Sequence, residues 1–315
     1  TIMTMLTAWI CLLLAPQPAP PTLLLVTGAG GSEEFATQFQ AATQSWRQHA
    51  DEAGMEVLQV HGEKQGATPH DQLQGLLKSL PEETLQPLWI VFIGHGTYAQ
   101  RKAKFNLVGP DLTAVELGSW IERFRRPVAV INCSSASGPF INELSGAGRV
   151  IVTATRSGNE QNYSRFAIYM AESINDPVVD LDKDGQVSLL EAFLAASNRV
   201  QRFYSEDNRL ATEHALIDDN GDGLGTPASW FRGVYTFRRA KGAGSADGLR
   251  ANQLHLIKSL QEQALTPEVR KHRDTLETEL SKLREQRDML AEEKYLAELE
   301  RICLAIARLY RDADK

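Results

Sequence analysis

The chain has 315 residues, 43% of them hydrophobic and 23% charged. That length allows one large domain with an appendage, and the composition is that of a folded soluble protein rather than a disordered chain or a membrane bundle. With 33 Lys and Arg against 40 Asp and Glu the formal charge is -7, which argues against nucleic-acid binding, since that needs a basic face to neutralise phosphates.

At the N-terminus an apolar run from Leu6 to Leu14, followed by small residues and prolines to Pro21, reads as a signal peptide over residues 1–21. The chain is then expected to be secreted or periplasmic. The alternative is a buried N-terminal strand or helix. The run is shorter than the roughly 20 apolar residues a membrane span needs, so no span is expected in the mature chain. If Cys11 leaves with the leader, Cys133 and Cys303 are too few for a disulfide framework.

From residue 22 to about 240, short apolar β-branched runs alternate with longer amphipathic stretches, the signature of a mostly parallel sheet covered by helices. The runs predict strands at Leu23–Thr27, Glu56–Val60, Leu88–Ile93, Val128–Asn132 and Val150–Thr155. Helices are expected at Ser32–Glu52, His70–Leu80, Leu112–Phe124 and Asn162–Ile174. The fold class is therefore α/β, a layered sandwich. The stretch KGAGSADG opens a linker over 241–251. Beyond it, 252–315 carries a leucine-rich helical stripe broken at Thr266–Pro267, which predicts a helical hairpin or a coiled coil. Such an arm would engage a protein partner, self-associate, or lie on the main domain.

Within the α/β part, residues 180–191 read DLDKDGQVSLLE. Asp180, Asp182 and Asp184 occupy positions one, three and five of an EF-hand-type loop, with Gly185 at the sharp turn. Gln186 offers its backbone carbonyl, Ser188 its side chain or a water, and Glu191 a closing carboxylate. The expected cofactor is Ca2+, as a permanent structural ion. A second stretch, 218–229, repeats only the first half of the pattern, with Asp218, Asn220 and Asp222 at one, three and five. Ser229 stands where the closing Glu belongs and Pro227 interrupts the exit, so this is a weaker half-site, a site completed elsewhere, or an Asx-rich turn.

Two strand ends carry candidate chemistry. One runs into Gly94-His95-Gly96-Thr97, the other into Cys133-Ser134-Ser135-Ala136-Ser137-Gly138. Chemistry in open parallel sheets gathers outside the carboxyl ends of strands, where His95 could serve as base to a thiol nucleophile and amides near Gly96 and Ser134 could form an oxyanion hole.

These two motifs resemble the caspase-like cysteine peptidases, specifically the legumain family. Bacterial members are similar also in KFNLVGPDLTA, GRVIVTATRSGNEQNYSRF, DLDKDGQVSLLEAF and ATEHALIDDNGDG, so the resemblance covers roughly Leu23 to Phe237. It implies a caspase-like three-layer α/β/α sandwich and a Cys-His endopeptidase acting on a peptide or protein substrate through a thioester, with His95 as the histidine. Counted back from Gly138, the family's cysteine position is Ser135, and Cys133 lies two residues earlier. Cys133 as nucleophile, Ser135 in its place, and a silent calcium-stabilised binding module acting through the C-terminal helices all remain open.

The Gly28–Gly31 loop lacks the last glycine of a dinucleotide fingerprint and is expected to pass close to the cleft. Arg156, Arg165 and His214 are weaker candidates, each with an ordinary structural use at least as well supported.

Overall fold

A computed structural model describes residues 20–313. The expected leader falls outside them except for Pro20 and Pro21, and the Pro21 carbonyl accepts from Glu56 N at 2.9 Å.

In chain order the chain runs β1 (Thr22–Thr27), α1 (Glu33–Glu52), β2 (Glu56–Val60), α2 (Pro69–Ser79) and β3 (Leu88–Ile93). A small sheet follows from β4 (Gly96–Ala99), β5 (Lys102–Phe105) and β6 (Leu112–Thr113), then α3 (Ala114–Ile121), β7 (Val128–Asn132), α4 (Phe140–Leu144), β8 (Arg149–Thr153), α5 (Phe166–Ser173) and α6 (Leu189–Glu206). The last strands are β9 (Leu216–Asp218), β10 (Thr226–Pro227) and the pair β11 (Phe231–Arg232) and β12 (Tyr235–Thr236). Helices α7 (Leu249–Asn252), α8 (Leu260–Ala264), α9 (Pro267–Glu285) and α10 (Glu292–Ala313) close the chain.

The main sheet has seven strands in the order β10-β9-β8-β7-β3-β1-β2. Five adjacent members, β8, β7, β3, β1 and β2, are parallel, and β9 and β10 extend the sheet antiparallel beyond β8. Strand β3, LWIVFI, is apolar at every position and buried on both faces, as a central parallel strand requires. Its side chains alternate between two cores. Trp89, Val91 and Ile93 face a cluster with Phe39, Trp46, Phe166 and Phe193 of α1, α5 and α6, whereas Leu88, Ile90 and Phe92 face Leu73, Leu117 and Phe140 of α2, α3 and α4. The result is a three-layer α/β/α sandwich.

Side-chain caps set the helix starts. Ser32 caps α1 and Thr68 caps α2, while Thr113–Glu116 and Ser188–Glu191 form capping boxes on α3 and α6. The arm is a hairpin of α9 against α10 around Leu276, Leu283 and Ile302, and Thr266 caps α9 with Pro267 in its first turn.

Three features differ from expectation. The stretch 96–113, between β3 and α3, folds as the antiparallel set β4-β5-β6. Strand β9 pairs antiparallel with β8. The expected linker 241–251 is tied down at its end: Asp247, Gly248 and Ala251 are buried, and α7 starts inside it.

Candidate functional site

The order β2-β1-β3 reverses the direction of winding at β1/β3, and ligands in such sheets sit outside the strand ends at that point. Here the loop after β1 and the loop after β3 touch: Gly28 N donates to Ile93 O at 2.9 Å. A Cβ on Gly94 would lie 2.8 Å from the Phe105 ring and 3.1 Å from Gly28 Cα, so only glycine permits this approach. The hairpin β4-β5 lies over the junction, with Asn106 N donating to His95 O and Ala29 N donating to Asn106 O.

His95 continues the parity of Val91 and Ile93 and emerges on the α1 side. Its ring stands edge-on to Phe35 and Phe39, each with centroids 5.0 Å away, and 6.3 Å from Tyr163. Nε2 lies 3.3 Å from the Gly30 carbonyl oxygen, a contact that makes it the N–H donor. Burial among these aromatics lowers the imidazole pKa, against a smaller upward pull from the Gly30 bond.

Cys133 follows the same parity on β7 and enters the same core, 1% exposed, in the cluster with Phe39, Ile131 and Phe166. Its backbone N donates to Phe92 O. Burial first, and the Glu213 carboxylate second, push the thiol pKa far above its ordinary value. That is the environment of an inert core thiol, since a nucleophilic cysteine needs its thiolate stabilised. Among the described residues no hydrogen bond joins Cys133 to His95.

Ser135 reaches the histidine loop. Its Oγ accepts from Gly96 N at 3.1 Å and donates to Gly96 O at 3.1 Å. The two loops are so close that a Cβ on Gly96 would meet Ser135 O at 2.2 Å. The Gly96 amide is thereby taken up by Ser135, and the Ser134 amide by the side chain of Asn132. Ser135 is 2% exposed. The turn closes through Ala136, at φ 53°, whose N donates to Glu160 O. Ser135, the position reached by counting back from Gly138, thus meets Gly96, and both amides expected at an oxyanion hole are already partnered.

In the first acidic loop the three aspartates come together and Glu191 does not join them. Asp180, Asp182 and Asp184 each place a carboxylate oxygen within 4.8 Å of the others, an arrangement that suits a hard, oxygen-seeking cation. Lys183 and Gly185 take positive φ, at 62° and 84°. Asp180 accepts from Lys183 N and Gly185 N, and Gln186 Nε2 donates to Asp184. Burial, and then the neighbouring Asp182 and Asp180, raise the Asp184 pKa. Glu191 turns inward: Oε1 accepts from Leu181 N and Asp182 N, and Oε2 from Ser188 N and Oγ. It fastens the loop ends rather than lying with the three aspartates.

The end of α7 and the segment after it clamp this loop. Asn252 Nδ2 donates to Asp182 Oδ2 at 3.1 Å, Ser259 N donates to Gln186 Oε1, and Leu189 N donates to Leu254 O. His255 lies beside it, Nε2 3.8 Å from Asp184 Oδ2, with a pKa pushed down to about 3 by burial and by Arg273 and Lys258.

In the second loop Asp218 accepts from Gly221 N and Gly223 N, Asn220 Oδ1 from Asp222 N, and Asp222 from Leu224 N. The stretch exits into β10 rather than a helix. Two buried aspartates stand behind it. Asp219 caps α7 by accepting from Gly248 N and Ala251 N, and Asp247 accepts from Asp219 N, Asn220 N and Thr226 Oγ1.

The weaker candidates have structural partners. Arg156 pairs with Glu160, which also accepts from His214 Nδ1 at 2.6 Å, and Arg165 stacks over Phe203 at 4.0 Å. Sequence reasoning passes over Glu160, Asn252 and the aromatic cage. Of these only the cage has a local signal, Phe35 and Phe39 one helical turn apart.

No family model matches the sequence, and no curated protein matches it. Among solved structures the chain is similar to protein GSU0716 from Geobacter sulfurreducens, with 13% identity over 57% of this chain and 89% of that one, TM-score 0.40. It is also similar to the Drosophila initiator caspase Dronc, with 12% identity over 63% of this chain and 79% of that one, TM-score 0.42.

Proposed function

We propose that this chain is an exported, calcium-stabilised binding module built on the caspase-like, legumain-like plan, in which Cys-His peptide-bond chemistry has been lost. The observation that carries the reading is the separate fate of the two groups a dyad needs. Cys133 is a core thiol whose pKa is raised by burial, and the His95 ring is held by Gly30 O inside an aromatic cage. A general base must come within hydrogen-bond reach of the proton it takes.

Calcium belongs to the loop 180–191. Asp180, Asp182 and Asp184 would hold it, and its charge would relieve the repulsion among three clustered carboxylates. The hydrogen bonds that Asn252 and Ser259 donate to this loop, and the one that the Leu254 carbonyl accepts from Leu189, support a structural role, in which the ion fixes the segment that leads into the helical arm.

A second reading makes Ser135 a serine nucleophile. It is favoured by the contact of Ser135 with the histidine loop, and opposed by the double engagement of its hydroxyl with Gly96.

Hydrolysis of a fluorogenic protein substrate by the purified full chain in calcium separates the readings. The binding-module reading expects turnover no greater than that of His95→Ala. Turnover abolished by Cys133→Ala restores the cysteine peptidase, and turnover abolished by Ser135→Ala alone establishes the serine variant. Calorimetry with CaCl2 tests the ion, with binding expected for the wild type and lost in Asp180→Ala/Asp184→Ala.

A further inference from the structure

At the end of the sheet opposite the His95 and Ser135 loops, a cleft of about 760 Å³ opens between the N-terminal ends of β3, β7 and β8 and the segment α7 to α9. That size lies within the range of ligand sites. The floor includes Leu85, Pro87, Phe124, Pro127, Val150 and Leu254.

Its charge is opposite to that of the whole chain. Arg125, Arg250, Lys258, Lys271 and Lys282 line it, and none makes a side-chain hydrogen bond or ion pair among the described residues. The carboxylates on the same walls are already taken: Glu262 by Arg273 and Arg270, Asp274 by Arg273, and Glu279 by Arg301. Arg126, 4% exposed, donates from Nε to Gln86 O at 2.8 Å and from Nη2 to Pro87 O at 3.1 Å. Its Nη1 is buried with no hydrogen-bond partner, an unmet donor in a residue that forms part of the wall. A chain of net charge -7 thus gathers unpaired cations in one apolar-floored cleft.

The spacing selects among anions. Lys271, Thr275, Thr278 and Lys282 all line the cleft from one face of α9, and the two lysines stand about 16 Å apart along the axis at a rise of about 1.5 Å per residue. A single phosphate cannot meet both. An extended peptide of about five residues, rising about 3.3 Å each, spans that length. We propose that this cleft binds an acidic peptide segment of a partner protein, its carboxylates meeting Lys271 and Lys282 on α9 and Arg125 on the sandwich, its backbone lying over the apolar floor. The site is separate from the His95 region and shares Leu254 and His255 with the segment that holds the first acidic loop.

The test is fluorescence anisotropy of fluorescein-labelled octaglutamate titrated with the purified full chain in calcium. Saturable binding that weakens from about 50 to about 300 mM salt is expected, as screening demands, with none for labelled octaglutamine. Lys271→Glu/Lys282→Glu should weaken it by at least about tenfold, which corresponds to about 1.4 kcal/mol, with an unchanged circular-dichroism melt. Arg125→Gln, on the opposite wall, should weaken it as well, so the proposal does not depend on one variant folding. Absence of saturable binding overturns the proposal, as does equal affinity in the double variant and in Arg125→Gln. Displacement by tripolyphosphate at concentrations below those of unlabelled octaglutamate also overturns it, in favour of a small phosphorylated ligand.

Discussion

Asn252 reaches back across 70 positions of sequence to Asp182, its amide donating to the carboxylate at 3.1 Å. The same side chain brings Oδ1 within 3.0 Å of Ser188 Oγ, the cap of α6. One residue of the C-terminal segment therefore touches both the entrance and the exit of the first acidic loop. Replacing it with Ala removes a hydrogen bond to a carboxylate, worth about 1 kcal/mol at an exposed site. Limited proteolysis should then cut residues 245–265 sooner than in wild type, while the α/β body stays intact; unchanged cleavage would mean that the clamp is not held by Asn252.

Calcium should stabilise the chain. An ion bound only by the folded state at 100 times its Kd adds about 2.7 kcal/mol, which raises the melting temperature by several degrees at about 2–4 °C per kcal/mol for a chain of this size. Differential scanning fluorimetry with calcium against EGTA should show the shift in wild type and its loss in Asp184→Ala. A wild-type melt indifferent to EGTA would remove the ion from the account.

The packing of the two strand-end loops predicts the effect of Gly96→Ala. A methyl there would lie 2.2 Å from the Ser135 carbonyl oxygen and 2.8 Å from Ser134 Oγ, and the first of these is backbone that cannot swing aside. Overpacking of this kind costs about 1–3 kcal/mol or more, readable as a lower urea midpoint with an unchanged slope. Tolerance of the methyl would show that the loops sit further apart.

The pH dependence carries a sign. Burial lowers the His95 pKa below its unfolded value of 6.5, so between the two values the unfolded chain binds more protons and stability rises with pH. The contribution is fully present above 6.5 and is lost as pH falls toward the folded value, at about 1.4 kcal/mol per unit of depression. Urea melts at pH 5 and pH 7.5 should show a smaller difference for His95→Asn than for wild type. Equal differences would place the histidine in solvent.

Much of this arrangement was legible in the sequence, for reasons that can be named. Glu56–Val60, Leu88–Ile93 and Val128–Asn132 are strands at their expected limits; the last two are legible because a strand buried on both faces must be a continuous apolar run, whereas Glu56–Val60 is a half-exposed edge strand. Asp180 to Glu191 folds as a tight loop because Gly185 alone suits its turn. Counting back from Gly138 reaches Ser135, whose hydroxyl the fold sets against Gly96. What sequence could not supply was depth. Cys133 reads like a nucleophile at a strand end, and only the parity of β7 with α1 and α5 folded over it sends the thiol into the core. The hairpin β4-β5 over the β1/β3 junction and the return of Asn252 to Asp182 depend on distant partners, as does the burial of Asp247 and Gly248 in a stretch that looks like a linker.

The alkylation rate of Cys133 tests the central claim most directly. The purified chain, in calcium at neutral pH, is treated with iodoacetamide and both cysteines are followed by mass spectrometry, with the exposed Cys303 as an internal reference. The account predicts that Cys303 reacts as an ordinary thiol while Cys133 reacts only as the chain unfolds, at a rate that His95→Ala does not slow. Rapid labelling of Cys133 near neutral pH, abolished by His95→Ala, would mean an activated thiolate and would contradict it.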